Sequence, residues 1–397
     1  MAVNNFTKEQ CYSLLTAVHD QATGAAAITP TDLSTFITVA NATLAAGFDN
    51  VLGAITQVVQ RTIIAVRPYE EKFSGLQMSA DTWGGIIRKI SFADRAPDAL
   101  EESYGLTDGL SVDHYVVKKP NVLETRYIGS DVYQAHYTIT REQLKSAFAN
   151  PDEFGSFMSG LLQHFANERT QWLEDLKRGI LCNAIAAKEA NNIDVIPLLT
   201  NYNTATGITP ALTNQTVLQP ANFKPFMEWC YKEVAKVSRL MTARSDKFQL
   251  AITGKPIYRH TPYRDQRVYF LADFLEAMDA QVLADTYHEN FLRYADVEGV
   301  DFWQAIDNPD EIQVTPAYID ASGAVVDSTT TPASAAQTMT NVIGVIFDRD
   351  AMGYNIFNDT LETTPYNAAG QYYNIYAHMD VQLQNDLTEK IVVFTLN

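Results

Sequence analysis

The residues that could bind a metal or attack a substrate are scattered along the chain. Its seven histidines never stand three or four residues apart, the spacing that a metal site on one helix face requires. The three cysteines form no CxxC pair, so a disulfide framework and a zinc site are both disfavoured, and we interpret them as small buried core residues. These residues are His19, His114, His136, His164, His260, His288, His378, Cys11, Cys182 and Cys230. We therefore expect no metal and no cofactor.

Familiar catalytic motifs are absent as well. Gly254-Lys255 is followed by Pro256 and lacks the upstream glycine of a phosphate-binding loop, and the sequence contains no GxGxxG, HExxH or GxSxG. The cluster Asp348-Arg349-Asp350 could imitate a metal site, but a turn after a buried strand explains it more simply. The chain is accordingly predicted not to be an enzyme. An acidic enzyme with a helical core stays open as an alternative, and it would need polar residues that converge in a pocket.

The net charge and hydropathy of the chain disfavour two kinds of partner, nucleic acids and membranes. The 397 residues include 29 Lys and Arg against 47 Asp and Glu, a net charge of −18. A protein that grips DNA neutralises phosphates with clustered basic residues, so a nucleic-acid-binding protein is disfavoured. No apolar run approaches the roughly 20 residues that cross a bilayer, and residues 1–10 lack the features of a signal peptide. We expect a cytoplasmic protein without membrane contact, long enough for two or three domains.

Helical patterns open the chain and return in its middle. Thr7-Lys8-Glu9-Gln10 matches a capping box, and a second helix is expected after Thr31-Asp32. Asn150-Pro151-Asp152-Glu153 combines an N-cap side chain, proline at the first helical position and acids near the positive end of the dipole. Apolar residues then keep helical spacing to about Ala190, which predicts a helix roughly 58 Å long at 1.5 Å per residue. Its glycines, Gly155, Gly160 and Gly179, are expected to mark close packing.

Strand patterns lie between these helical segments. Residues 86–92 and 112–117 are short and rich in β-formers, and residues 133–140 alternate with the period of two that indicates a half-buried strand. The segment has too few apolar residues to form a globule. We therefore expect a long hairpin that leans on a neighbour, with residues 133–140 as its return strand.

The second half of the sequence mixes helices and strands. A loop is expected over 200–216, a helix near 221–242 and a turn at Ala321-Ser322-Gly323. The expected strands are 248–254, 268–270, a hairpin over 312–326, 342–347, 373–383 and 391–394. Taken together, these elements predict an α+β protein.

The order of the elements resembles the major capsid proteins of tailed bacteriophages, which have the Hong Kong 97 fold. Residues 268–302 and the ending, from 342–348 through 366–370 to the last strand, look like stretches of the capsid proteins of small short-tailed phages. The resemblance covers essentially the whole chain. The fold it implies has an N-terminal helical arm (1–67), an extended β-hairpin loop (68–135), a peripheral domain (136–197) with a spine helix at about 151–190, a mixed α/β axial domain (198–310), and a closing hairpin and strands (311–397) that return to the peripheral and axial domains.

This resemblance implies a major capsid protein that self-assembles into hexamers and pentamers of an icosahedral shell around phage double-stranded DNA, built in the host bacterial cytoplasm. An acidic inner wall would then touch the packaged DNA only by weak, non-specific contact. The arm is too short for a fused scaffolding domain, so a separate scaffolding protein is expected, with a portal protein at one vertex. The alternatives are an encapsulin-like nanocompartment shell and another virion structural protein.

Within this interpretation, the extended loop of one subunit lies across its neighbour, and its charged residues are candidates for inter-subunit contacts. The basic candidates are Arg88, Lys89, Lys118, Lys119 and Arg126, and the acidic residues they are expected to meet include Glu101, Glu102 and Asp152 of an adjacent subunit. A solvated, charged hairpin would explain the same residues without such contacts. No catalytic, cofactor-binding or metal-binding residue is assigned.

Overall fold

The computed structural model describes most of the chain. The described residues are 7–25, 30–47, 50–51, 54–55, 73–78, 86–95, 108–109, 115, 117–129, 131–148, 151–281 and 296–397. Within them, helices and strands are mixed along the sequence, in agreement with the predicted α+β class at that level.

The helices of the described part are α1 (Lys8–Thr23), α2 (Leu33–Ala45), α3 (Arg141–Ala147), α4 (Pro151–Ala190), α5 (Leu198–Thr206), α6 (Pro220–Met241) and α7 (Ala272–Gln281). The strands are β1 (Ile86–Phe92), β2 (Val122–Ile128), β3 (Asp131–Thr140), β4 (Val195–Pro197), β5 (Gln266–Leu271), β6 (Asp296–Val300), β7 (Ile312–Val314), β8 (Tyr318–Ile319), β9 (Val325–Val326), β10 (Gln337–Met339), β11 (Val342–Asp348), β12 (Met352–Thr363), β13 (Tyr372–Asn385) and β14 (Ile391–Thr395).

Local capping starts the first two helices. The Thr7 hydroxyl accepts from the Gln10 amide at 3.3 Å, and Gln10 Oε1 accepts from the Thr7 amide at 2.9 Å, so the predicted capping box is confirmed. Asp32 caps α2 through a reciprocal pair with Thr35, as the second helix start predicted. Apolar side chains of both helices join a core with the first half of α4, which leaves their polar faces in solvent.

Helix α4 is the spine of the described structure. It runs for 40 residues, about 60 Å at 1.5 Å per residue, and its predicted bounds are confirmed. Its first half packs Phe154 and Met158 into the core with α1 and α2, and its second half packs Leu181 and Ile185 into the core under β11 and β14. The expectation that its glycines mark close packing is wrong at Gly160 and Gly179, because a Cβ at either would meet open space.

Two larger sheets pack on α4 and beside it. A three-stranded antiparallel sheet has the order β12-β13-β3, and a five-stranded sheet has the order β4-β14-β11-β5-β6. Every residue of β11 and β14 is buried, which confirms the predicted buried strands 342–347 and 391–394. The predicted strand over 373–383 lies within β13, which pairs with β12 on one side and β3 on the other. The predicted alternation is wrong at its end, because Gln382 is buried and Leu383 is only half-buried.

The expected return strand of the hairpin is wrong. Residues 133–140 do form a strand, but β3 pairs with β13, whereas β1 pairs antiparallel with β2, from Ile86 opposite Ile128 to Phe92 opposite Val122. Of the expected strand 112–117, Tyr115 lies in a turn and residue 117 lies outside any strand, and the rest lies outside the described residues. The alternation of residues 133–140 predicts a strand but not its pairing partner, because the partner strand lies far along the chain.

Three further expectations need correction. Residues 248–254 form no strand, and both ends of the segment leave the extended region, because Phe248 and Gly254 adopt the left-handed region with φ of 69° and 75°. Part of the expected loop 200–216 belongs to α5. Burial of its apolar side chains stabilises this helix despite the low helix propensity of its Asn and Thr residues. In the expected hairpin 312–326, β8 pairs with β9 around the predicted turn, but β7 pairs with β10.

Candidate interaction surface

The β1–β2 hairpin presents two different faces. Side chains alternate along both strands, so residues with even numbers share one face, which we call the outer face, and those with odd numbers share the inner face. The outer face exposes large apolar side chains: Ile86 (56%), Ile90 (48%), Phe92 (64%), Val122 (41%) and Ile128 (70%). Ile86 and Ile128 lie at one end of the face, and Ile90, Phe92 and Val122 lie at the other. Exposed apolar surface of this kind is typical of a site that contacts another molecule.

Three charged residues lie at the centre of the outer face. Glu124 Oε1 accepts from Arg88 Nε at 2.5 Å and from Arg126 Nε at 2.6 Å. Hydrogen bonds from Arg126 and then Arg88 lower the pKa of Glu124 to about 2. The carboxylate therefore stays ionised, and the triad carries one surplus positive charge in the middle of the apolar patch.

The inner face is held to the rest of the chain by a cluster of four charges. Lys89 Nζ lies 2.8 Å from Asp386 Oδ2 and also contacts Glu389, and Arg259 Nη1 lies 2.6 Å from Glu389 Oε1. Both acids are buried, in the turn between β13 and β14. We call these four residues the inner-face cluster; its two positive and two negative charges balance.

Burial and pairing act in opposite directions on the pKa values of this cluster. Burial opposes the charge on Lys89, but Asp386 and Glu389 outweigh it and raise the pKa of the amine above its usual value. Burial likewise opposes the charge on Asp386, yet Lys89 holds the pKa of that carboxyl below its usual value. For Glu389, burial prevails over Lys89 and Arg259 and raises the pKa. Lys89 and Asp386 are therefore the best-matched ion pair.

Further polar contacts hold the inner face and the residues after β1. Gln382 Nε2 donates to the Tyr127 carbonyl at 2.7 Å, and Arg259 Nη2 donates to Ser91 Oγ at 3.1 Å. Just beyond β1, Asp94 accepts from the Tyr258 amide at 2.7 Å and pairs with Arg244. The three apolar cores of the described residues contain no side chain of β1 or β2. The hairpin is thus attached to the chain through hydrogen bonds and ion pairs rather than through a shared core.

An acidic concave surface lies between α3 and the first turns of α4. It encloses about 760 Å³ and is lined by Glu142, Gln143, Ser146, Asp152, Glu153, Ser156 and Phe157. We call it the α3–α4 hollow. Its lining has three carboxylates, no lysine or arginine, and one partly exposed aromatic ring. A partner with apolar side chains and positive charge would complement it.

Six of the eight predicted contact residues lie in the described part of the chain, and Asp152 is one of the residues that line the α3–α4 hollow. Arg88 and Arg126 share Glu124 within one hairpin, and Lys89 reaches the inner-face cluster. Lys118 and Lys119 are exposed just before β2, whereas Glu101 and Glu102 lie outside the described residues. Contacts of these residues with another subunit therefore stay a prediction.

Sequence reasoning missed the acids that pair with these bases. The alternation of β2 places Glu124 on the same face as Arg126, so it could have been found once residues 122–128 were assigned to a strand. Asp386 lies 297 residues from Lys89, and no local pattern points to it.

In the described part of the chain, no three His, Cys, Asp or Glu side chains are grouped so that they could hold a metal ion. None of the helices in that part is long and apolar enough to cross a membrane. Cys11, Cys182 and Cys230 are buried and form no disulfide, which confirms their interpretation as core residues. Asp348 ends β11 and a turn follows it, as predicted.

Two solved structures are similar to this chain in fold. The fold is similar to a chain in the capsid structure of Staphylococcus phage Andhra, with a TM-score of 0.53 and 11% identity over 82% of this chain and 84% of that one. It is also similar to a chain in the structure of head fiber and inner core protein gp22 of native bacteriophage P68, with a TM-score of 0.55 and 12% identity over 82% and 85% of the two chains. At such low sequence identity, the similarity shows a shared fold and nothing about function.

Sequence comparison is more specific. No curated protein matches the chain. The family model of the Phi29-like phage major capsid protein, however, matches residues 15–395, nearly the whole of it. The chain therefore belongs to the Phi29-like phage major capsid protein family and forms the capsid shell of a phage.

Proposed function

We propose that this capsid protein has the Hong Kong 97-type fold, close to that of short-tailed phages, and assembles into hexamers and pentamers of an icosahedral shell around double-stranded DNA. Assembly rather than catalysis is its activity, and it takes place in the host bacterial cytoplasm. A separate scaffolding protein and a portal protein at one vertex take part. The family match supports a phage shell over the encapsulin-like alternative and over another virion component.

One observation carries the proposed mode of assembly: the outer face of the hairpin exposes five large apolar side chains around a charged triad. A two-stranded sheet is marginally stable in water and gains little from leaving such a face exposed. Burial of an apolar side chain contributes about 1.5–3 kcal/mol, so covering this face by another subunit would drive association.

The α3–α4 hollow carries charge that is complementary to this face. Its three carboxylates complement the surplus positive charge of the triad, and Phe157 offers an apolar contact for the patch around it. We propose that the outer face of one subunit lies in the α3–α4 hollow of its neighbour. Arg88 and Arg126 would then meet Asp152 and Glu153, as the resemblance implied for Asp152. The net charge of −18 supports only weak, non-specific contact with the packaged DNA.

A reciprocal charge swap tests this mode of assembly. Arg126→Glu should lower the fraction of chains that enter shells, because it sets like charges against each other, and Glu153→Arg in the same chain should restore much of that fraction. Electron microscopy and sedimentation of the purified chain measure both. Arg264→Glu is the matched control, since its side chain is 86% exposed and lies on neither surface. Normal shells from Arg126→Glu alone would contradict the pairing, and persistent monomers of the unaltered chain together with its scaffold would contradict the proposed function.

A further inference from the structure

A small cavity lies between helix α4 and the face of the three-stranded sheet that packs on it. It encloses about 150 Å³, and we call it the spine cavity. It lies where the two apolar cores along α4 meet, since Met379 belongs to one core and Phe165 to the other. Its apolar lining comes from Tyr133, Ala135, Phe165, Leu361, Ala377 and Met379.

Small side chains in the sheet leave this space open. Ala135 of β3 lies directly opposite Ala377 of β13, so two neighbouring strands present only methyl groups at this level. The pairs on either side of the two alanines carry larger side chains: Tyr133 with Met379, and Tyr137 with Ile375. These larger side chains lie between the sheet and α4 on both sides of the alanine pair, which leaves a gap between them.

The charges at the spine cavity cancel. Arg169 Nη2 lies 2.8 Å from Asp359 Oδ2, and both residues line the cavity. Their side chains are partly exposed, so the pair lies on the solvent side. Thr360 and His378 complete the lining, but strand alternation places their side chains on the opposite face of the sheet. A ligand inside would therefore meet apolar side chains and no uncompensated charge.

These features select a ligand by size and polarity. An apolar cavity of about 150 Å³ stays dry and can hold a molecule as large as benzene. An ion inside it would lose its hydration without gaining a partner, whereas an apolar molecule gains by leaving water. We propose that the spine cavity binds a small, neutral, apolar molecule about the size of benzene or toluene. The inference does not rest on the proposed function, because the cavity belongs to the single chain.

Toluene and benzoate are suitable probes, because they have nearly the same shape and differ in charge. The unassembled full-length chain is labelled at its methionine methyl groups, and the Met379 resonance is assigned through Met379→Leu. Toluene should shift the Met379 resonance saturably, with Kd on the order of 1 mM. Benzoate at the same concentrations should leave it unchanged.

Substitutions that fill the cavity should remove this binding. Ala377→Leu should raise Kd for toluene at least tenfold. Ala135→Val fills less of the space and should raise Kd several-fold, which provides a second test if circular dichroism shows that Ala377→Leu does not fold. Ala333→Leu is the matched control, since it adds the same side chain at an exposed loop residue and should leave Kd unchanged.

The opposite results refute the proposal. A Met379 resonance that does not move up to the solubility limit of toluene, or shifts confined to other methionines, would exclude binding in the spine cavity. Equal binding of benzoate would show that Arg169 leaves Asp359 and that the cavity takes anions instead. Unchanged Kd in both Ala377→Leu and Ala135→Val would place the ligand elsewhere. None of these measurements depends on shell formation, so failure here leaves the proposed function unaffected.

Discussion

Replacing Lys89 by methionine should release the β1–β2 hairpin from the body of the chain. Methionine keeps much of the aliphatic length but leaves Asp386 without the ammonium 2.8 Å away, and leaves Glu389 with Arg259 as its remaining partner. Removing one partner of a fully buried pair destabilises by about 3–5 kcal/mol. Because the Lys89 side chain is 21% exposed and Arg259 remains, we expect roughly 2 kcal/mol here.

This loss should be local. No side chain of the hairpin belongs to the apolar cores of the described residues, so the hairpin can detach while those cores stay folded. A detached two-stranded hairpin is marginal in water, and its amides then exchange with solvent. Hydrogen exchange of the unassembled full chain should be about 30-fold faster in β1 and β2, the equivalent of 2 kcal/mol, with β11 and β14 unchanged.

The control for this prediction is Arg88→Met on the outer face. It removes an ion pair on the solvent-exposed face, which water screens, and should change exchange by less than about fivefold. The reasoning is refuted if hairpin exchange in Lys89→Met matches the unaltered chain, or if Arg88→Met accelerates it as much.

The inner-face cluster also has an expected pH response. Asp386 has a pKa below its usual 3.8, so its contribution to stability is present above that value and is lost as the pH falls through the lower folded pKa. Glu389 has a pKa above its usual 4.5, so its charge opposes folding at higher pH and its protonation relieves that penalty. Hairpin protection, corrected for intrinsic exchange rates, should therefore survive acidification to about pH 4.5 and fall only below 3.8. Loss of protection well above pH 4.5 would contradict this assignment.

Three further substitutions have outcomes that follow from their positions. Lys118→Glu with Lys119→Glu should impair shell formation in electron micrographs while the circular dichroism of the monomer is unchanged; normal shells would refute a role for these residues. Gly160→Ala should raise the free energy of unfolding by up to about 1 kcal/mol in urea, because the added methyl meets open space on a helix. Gly344→Ala should lower the free energy of unfolding by about 3 kcal/mol or leave the chain insoluble, because the methyl would overlap the ring of Phe270 on the neighbouring strand. A change below about 1 kcal/mol would contradict this, since it would mean that β5 shifts to accommodate the methyl.

Much of the fold follows from local features of the sequence. Helix α4 begins and ends where its start signal and apolar spacing predict, because caps, proline at the first turn and helical periodicity act over a few residues. Strands β11, β13 and β14 are likewise recognisable, since an all-apolar run or an alternation of apolar and polar residues indicates a strand, although the burial of β13 departs from its alternation after Val381. The exception is β12, whose buried first residues and bulge after Ile356 break the alternation.

What surrounds each element was decided only by the tertiary structure. The sequence marks residues 133–140 as a strand but does not determine their pairing, and β3 joins β13, more than 200 residues later, instead of closing the hairpin. The sequence also marks Lys89 as a charged candidate, yet its partners come from the turn after β13. Pairing between residues so far apart in the sequence depends on which surfaces meet in the folded chain. Periodicity, composition and charge describe only neighbouring residues, so they do not predict which distant residues will meet.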